Sequence, residues 1–299
     1  MQTVRLATRA LRAFGQLALA AGLALPLMAH ATMVRLYTTL GPIDVALKDA
    51  EAPISVANFL AYVRSGAYDG TFIHRNVPGF VVQGGGYKLI NGAAPHIPTF
   101  APIALEYSAS RPNIRGSISM ARTSELNSAT SEFFLNLVDN TVTLGPTNGG
   151  GYAVFGQMTT PSLPAMDGMA RLNNVNAGGA FGTLPTVSPL TNNTVRNENL
   201  VLVNTAIVLP ARTTQADRAF DYLEATYWQF LKPAGAGVSG TTDAGGVAYY
   251  YRYYPASGSY VGLSVKDNVL FYLVPEVSQD ITRFAPLADV MVDVVKAGY

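Results

Sequence analysis

The chain has 299 residues, 49% of them hydrophobic and 13% charged, so it can build a sizeable core and is not a disordered tail. Its 20 basic and 19 acidic side chains nearly cancel, which gives no electrostatic reason to bind nucleic acid or an anionic membrane. There is no cysteine, which excludes disulfides and a lipid-modified cysteine at the N-terminal region.

Residues 1–31 read as a secretory signal peptide. Arg5, Arg9 and Arg12 form a basic start, Ala13 to Leu27 an apolar stretch, and Ala29-His30-Ala31 a small-residue cleavage site. The apolar run is shorter than the roughly 20 residues needed to span a bilayer, so cleavage near Ala31 is expected rather than a membrane anchor. Loss of the three arginines turns the mature chain slightly negative. A disulfide-free exported protein fits a bacterial periplasm or exterior.

Next, Val34 to Thr39 and Ile43 to Leu47 alternate around Gly41-Pro42 and predict a hairpin. Pro53 opens a helix bearing Val56, Phe59, Leu60 and Val63, and Gly66 ends it. Short strands are expected around Phe72, Phe80–Gln83, Ile103–Glu106, Ser117–Ala121, Phe133–Leu137, Ala153–Phe155 and Leu200–Val208. Ser162 can cap a second helix carrying Leu163, Met166 and Met169. Many short strands with two isolated helices argue for an antiparallel barrel capped at its ends. The Asn-, Gly-, Thr- and Pro-rich stretch 173–197 reads as a surface loop.

After Pro210 the character changes. Thr213 or Thr214 can cap a helix with Ala216, Phe220, Leu223, Tyr227 and Phe230 on one face. Pro233 to Gly246 reads as a Gly-rich break, followed by a meander of Val247–Tyr254, Tyr260–Val265 and Val269–Val274. Leu287, Val290, Met291 and Val294 mark a last helix. The expected domains are thus a signal peptide (1–31), a barrel (32–210) and a small α+β module (211–299). Tyr249, Tyr251 and Tyr253 face one side of their strand, and Tyr250, Arg252 and Tyr254 the other. One face should be core; the other is either packed too or an aromatic platform for an envelope ligand or protein partner.

The chemistry concentrates in residues 71–86, Thr-Phe-Ile-His-Arg-Asn-Val-Pro-Gly-Phe-Val-Val-Gln-Gly-Gly-Gly. Arg75, Phe80 and Gln83 flank a Pro78-Gly79 turn, a trio suited to gripping an apolar ring while donating hydrogen bonds to the peptide around it. A second segment, Gly116-Ser-Ile-Ser-Met-Ala-Arg-Thr, then Ser131-Glu-Phe-Phe-Leu-Asn, and a third, Gly151-Tyr-Ala-Val-Phe-Gly156, follow in order. From about Met33 to Pro210 the chain resembles the cyclophilins, peptidyl-prolyl cis-trans isomerases with an eight-stranded barrel and two helices.

The resemblance implies Arg75, Phe80 and Gln83 as catalytic residues, and a proline socket lined by Phe80, Met120, Phe134 and Leu144. It also implies peptide pairing along the backbone of Ala121 and Arg122, and Tyr152 where the family often has histidine. Val81 stands for a larger apolar residue, Glu132 for glutamine, and Thr143 for the tryptophan that contacts cyclosporin in eukaryotic members. The Gly-rich loop Thr143–Gly151 departs from the family pattern. The implied substrates are proline-containing unfolded or flexible polypeptides, and the implied role is to assist folding of exported proteins without any cofactor. A proline-peptide-binding chaperone with little turnover is the alternative, if Glu132 and the loop have cost the site its chemistry. Three scattered histidines (His30, His74, His96) without cysteine give no zinc spacing, neither Gly-rich run, 83–86 or 149–151, makes a phosphate-binding loop, and no G-x-S-x-G elbow is present.

Overall fold

The computed structural model describes residues 31–299 apart from 212–213, 234, 236, 245–246 and 274–281. Residues 1–30 of the expected signal peptide, Thr213 as a cap and the end of the strand expected at Val274 therefore lie outside the described residues.

The chain opens with a hairpin of β1 (Met33–Thr38) and β2 (Gly41–Leu47), in register Arg35↔Asp44 and Thr38↔Gly41. Gly41 has φ of 122°, and a Cβ there would come within 3.0 Å of the Trp228 ring, so glycine is required on both counts. Helix α1 (Pro53–Arg64) starts with Pro53, whose missing N–H costs nothing at the first position. Its open N–H groups at Ile54 and Ser55 donate to the Glu106 carboxylate at 3.0 and 2.5 Å. The strand expected at Ile103–Glu106 is reduced to one bridge between Ile103 and Ala129, because that segment serves the helix start instead.

Then come β3 (Thr71–Phe72), β4 (Arg75–Val77), β5 (Val81–Gly84), β6 (Ser117–Met120), β7 (Phe133–Asn136) and β8 (Val154–Met158). Helix α2 (Leu163–Ala170) follows, then a small hairpin of β9 (Asn173–Val175) and β10 (Leu184–Thr186) inside the stretch expected as loop, then β11 (Leu202–Val208). Nine strands form one sheet in the order β3-β11-β1-β2-β8-β6-β7-β5-β4, every pair antiparallel. Its end strands β3 and β4 are separated in the chain only by Ile73 and His74, so the sheet must curl round on itself. The mainly-β expectation holds, and β4 is a strand beyond those expected.

Period-two alternation directs Val34, Leu36, Ile43, Val45, Val82, Ile118 and Leu135 inward. Phe59 of α1 fills the centre, its ring 5.0–5.7 Å from those of Tyr68, Phe133 and Phe155.

The C-terminal part begins with α3 (Gln215–Thr226), where Thr214 and Asp217 form a reciprocal capping box. After α4 (Trp228–Leu231) comes a five-stranded antiparallel sheet of β12 (Val238–Ala244), β13 (Val247–Tyr254), β14 (Ser259–Ser264), β15 (Val269–Leu273) and β16 (Thr282–Pro286), closed by α5 (Leu287–Ala297). The meander thus gains an edge strand on each side. One of them, β12, lies in the stretch read as a Gly-rich break. At Gly240 a Cβ would meet the Tyr251 hydroxyl of the paired strand at 2.7 Å.

Residues 31–299 form one compact unit. Met33 and Leu209 of the barrel share a buried apolar cluster with Phe220 and Leu223 of α3, Tyr254 of β13, and Val290 and Val294 of α5. Beside it Arg35, fully buried, donates to Asp44 at 2.6 Å twice, to the Asp221 carbonyl at 2.9 Å, and to Glu224. Arg252 donates to Asp221 and Glu224 at 2.7 and 2.9 Å, and Tyr254 to Glu224 at 2.8 Å. The Tyr299 hydroxyl reaches back to Asp44 at 2.5 Å. Burial is the strongest influence on Asp221 and lifts its carboxyl to about 6, with Arg252 opposing and the Glu224 charge adding to the rise.

Candidate active site

The Pro78-Gly79 turn folds β4 back on β5 so that Arg75 pairs with Gln83, and β5 pairs with β7 so that Gln83 faces Phe134. Directly paired residues point to the same side of a sheet, so Arg75, Gln83 and Phe134 share the outer face. The Arg75 guanidinium donates to the Gln83 side-chain oxygen at 3.3 Å and stands 6.0 Å from the centre of the Phe80 ring.

An apolar floor lies beside this pair. Val81, Phe134 and Leu144 are buried together, with Phe80, Ala121 and Tyr152 packed around them half exposed. The Tyr152 ring meets Phe134 edge-on at 5.6 Å. The structure therefore gathers eight of the residues singled out from the sequence: Arg75, Phe80, Gln83, Ala121, Arg122, Phe134, Leu144 and Tyr152. Met120 is the exception and is corrected here: it is 2% exposed and belongs to the barrel core. The cause is parity. Ile118 and Met120 point inward on β6, so the next residue, Ala121, is the one that faces the floor. Val81 takes the place expected of Met120.

The Arg122 side chain fastens the rim. It stands 4.5 Å over the Tyr152 ring and donates to the carbonyls of Gly149, Gly151 and Thr123 at 2.5–3.2 Å. The Gly-rich loop 143–151 is therefore tied down from outside. From beneath, Asn113 donates to the Tyr152 carbonyl at 3.2 Å, and Asn140 to the Phe80 carbonyl at 2.9 Å. Asn136 links them, accepting from Asn140 at 2.9 Å and donating to the Asn113 oxygen at 3.2 Å and the Ser117 hydroxyl at 2.9 Å. Sequence reasoning missed these three asparagines. The available signal was Asn136 itself, a polar residue ending an otherwise apolar strand, which cannot be buried without partners.

Glu132 does not point into the socket. It accepts from Gln83 Nε2 at 2.7 Å, from His74 Nε2 at 3.3 Å and from His96 Nε2 at 3.0 Å. Burial alone would raise its carboxyl, but the bond and charge of His74, then Gln83 and His96, hold it down to about 2. His74 is accordingly a structural partner of Glu132.

Against known proteins, the sequence model described as cyclophilin type peptidyl-prolyl cis-trans isomerase/CLD matches residues 33–196. Peptidyl-prolyl cis-trans isomerase A of Dickeya dadantii is 44% identical over 147 residues, 49% of this chain and 75% of that one. Peptidyl-prolyl cis-trans isomerase B of Escherichia coli K12 is 36% identical over 149 residues, 49% of this chain and 87% of that one. A crystal structure of a Cryptosporidium parvum cyclophilin type isomerase aligns at a TM-score of 0.45 and 21% identity over 59% of this chain and 98% of that one, too loose a superposition to argue from. With more than half its length matched, the chain belongs to the cyclophilin-type peptidyl-prolyl cis-trans isomerases, enzymes that interconvert the two forms of the Xaa-Pro peptide bond. The five-stranded sheet lies beyond the matched residues.

Proposed function

We propose that the enzyme assists the folding of exported proteins by stabilising a twisted Xaa-Pro amide with Arg75 beside an apolar proline socket. Rotation about a peptide bond meets a barrier of about 18–20 kcal/mol because the C–N bond is partly double. The Xaa-Pro bond is nearly balanced between cis and trans yet exchanges only in tens to hundreds of seconds. A catalyst therefore needs no nucleophile; it must bind the twisted amide better than either planar form. In the twisted state the prolyl nitrogen regains its lone pair, and a permanently protonated guanidinium beside it stabilises that state.

The observation that carries this reading is the placement of Arg75 on one sheet face with Gln83 and Phe134, next to the Phe80 ring. In it, Phe80, Val81, Phe134 and Leu144 take the proline ring, and Gln83 and the Ala121–Arg122 backbone hold the flanking peptide as an added strand. The signal-like residues 1–31 support export to the periplasm or exterior. Residues 211–299 serve in this reading to recruit an envelope or protein partner through the half-exposed row Tyr249, Tyr251 and Tyr253, raising the local concentration of the enzyme at its target.

The test is a protease-coupled proline-peptide assay of the wild type and Arg75→Ala. A loss of about two orders of magnitude in kcat/KM with unchanged thermal stability is expected. Equal rates would remove Arg75 from the mechanism. Tight peptide binding without acceleration in the wild type would favour the chaperone alternative.

A further inference from the structure

We infer that Glu132 is a positioning residue that orients the Gln83 amide and, through it, the Arg75 guanidinium. The inference rests on the role proposed for Arg75 above. A carboxylate can only accept hydrogen bonds, whereas a glutamine amide has one accepting end and one donating end. Because Glu132 Oε2 takes the Nε2 of Gln83 at 2.7 Å, the amide oxygen is turned the other way, to Arg75 Nη1 at 3.3 Å. The guanidinium has no accepting atom, so it is held there only while that oxygen faces it.

Glu132 is itself fixed. His74 and His96 donate to its two oxygens, and the Tyr87 ring lies between the imidazoles, edge-to-face at 4.9 Å from each. Gly86 lies against the carboxyl, since a Cβ there would come within 2.8 Å of Glu132 Oε1.

A glutamine at 132 would behave differently in these surroundings. It has one accepting oxygen where the carboxylate has two, and Gln83 and His74 meet the Oε2 position while His96 meets Oε1; with that oxygen turned to His96, its NH2 stands at the Oε2 position against Gln83. Gln83 would then flip to accept, and would present its own NH2 to Arg75, donor against donor. In this chain the carboxylate is what keeps the relay Glu132–Gln83–Arg75 in one sense.

The experiment is a kinetic double-mutant cycle on the full chain with a proline peptide, using Glu132→Gln, Gln83→Ala and the double variant. Glu132→Gln is expected to lower kcat about five- to tenfold with KM within twofold of wild type, and to cause no further loss once Gln83 is alanine. A merely structural role would give the same loss in both backgrounds, and that result, or a wild-type kcat in Glu132→Gln, overturns the inference. Should Glu132→Gln fold poorly, His96→Ala tests the same relay from the exposed side. It is expected to lower kcat two- to threefold in the wild type and not at all in Gln83→Ala; no loss, or an equal loss in both, again overturns it. Arg75→Ala measured alongside separates the two readings: full activity there removes the proposed arginine mechanism, whereas a large loss there with an additive cycle removes only the relay.

Discussion

Arg35→Met tests the joint between the barrel and the C-terminal sheet. Methionine keeps most of the buried apolar volume, so the change chiefly deletes four hydrogen bonds: two to Asp44, one to Glu224 and one to the Asp221 carbonyl. Removing one member of a buried ion cluster generally costs about 3–5 kcal/mol, because the partners remain buried and charged. Here Asp44 keeps the Tyr299 hydroxyl, and Glu224 keeps Arg252 and Tyr254, which places the cost near the lower end, about 3 kcal/mol. For a unit of this size that corresponds to a fall in Tm of roughly 6–12 °C. The Arg75 site stands on β4, β5 and β7 and the joint on β1, β2 and α3, so kcat/KM measured well below Tm should stay within about twofold of wild type. Adding Asp44→Leu, which removes one stranded carboxylate, should recover part of the lost stability. Circular dichroism melts and the proline-peptide assay read both effects. A Tm within 2 °C of wild type would show that the cluster holds nothing, and the reasoning would fail.

Four further outcomes are expected. The Asp221 carboxyl sits at about 6 in the folded protein against an ordinary 3.8, so its contribution is fully present below about 3.8 and is lost as pH rises through about 6; Asp221→Asn should therefore gain stability over wild type between pH 5 and 7.5, read as a widening difference in Tm. Glu132 runs the other way: held at about 2 against 4.5, its contribution is present above 4.5 and disappears as pH falls toward 2, so the Tm gap between wild type and Glu132→Gln should close on acidification. Arg122→Ala frees the rim loop and should raise KM several-fold with a smaller change in kcat, and equal changes in both would count against a rim role. Expressed alone, 211–299 should lack a cooperative melt, because its helices α3 and α5 share their core with Met33 and Leu209; a sharp independent transition would restore a free-standing module.

The parts legible in the sequence are those whose geometry is local. Arg75 and Gln83 lie eight residues apart across a Pro-Gly turn, so the hairpin that pairs them could be read directly, and Phe134 follows from the next strand. Met120 was placed in the socket by the resemblance alone; in the fold it pairs with Phe133 and shares the inward side with Ile118. Glu132 was visible as a departure, but its partners His74 and His96 come together only in the fold, and without them it looked like an intruding charge.

The joint shows the same limit most clearly. Arg35 and Asp44 are direct cross-strand partners, and from the sequence alone such a pair on a hairpin reads as a solvated face worth little. It is buried because Asp221 and Glu224, nearly two hundred residues on, are brought against it. One strand therefore serves two cores. Val34 and Leu36 point into the barrel, as the isomerase fold requires, while on the opposite face of β1 Met33 joins the apolar cluster of the tail, Arg35 its ion network, and the Tyr37 hydroxyl donates to the Gly235 carbonyl at 2.8 Å. The period of two leaves that outer face of β1 free to change without disturbing the residues that face the barrel core, so an added sheet can pack against it.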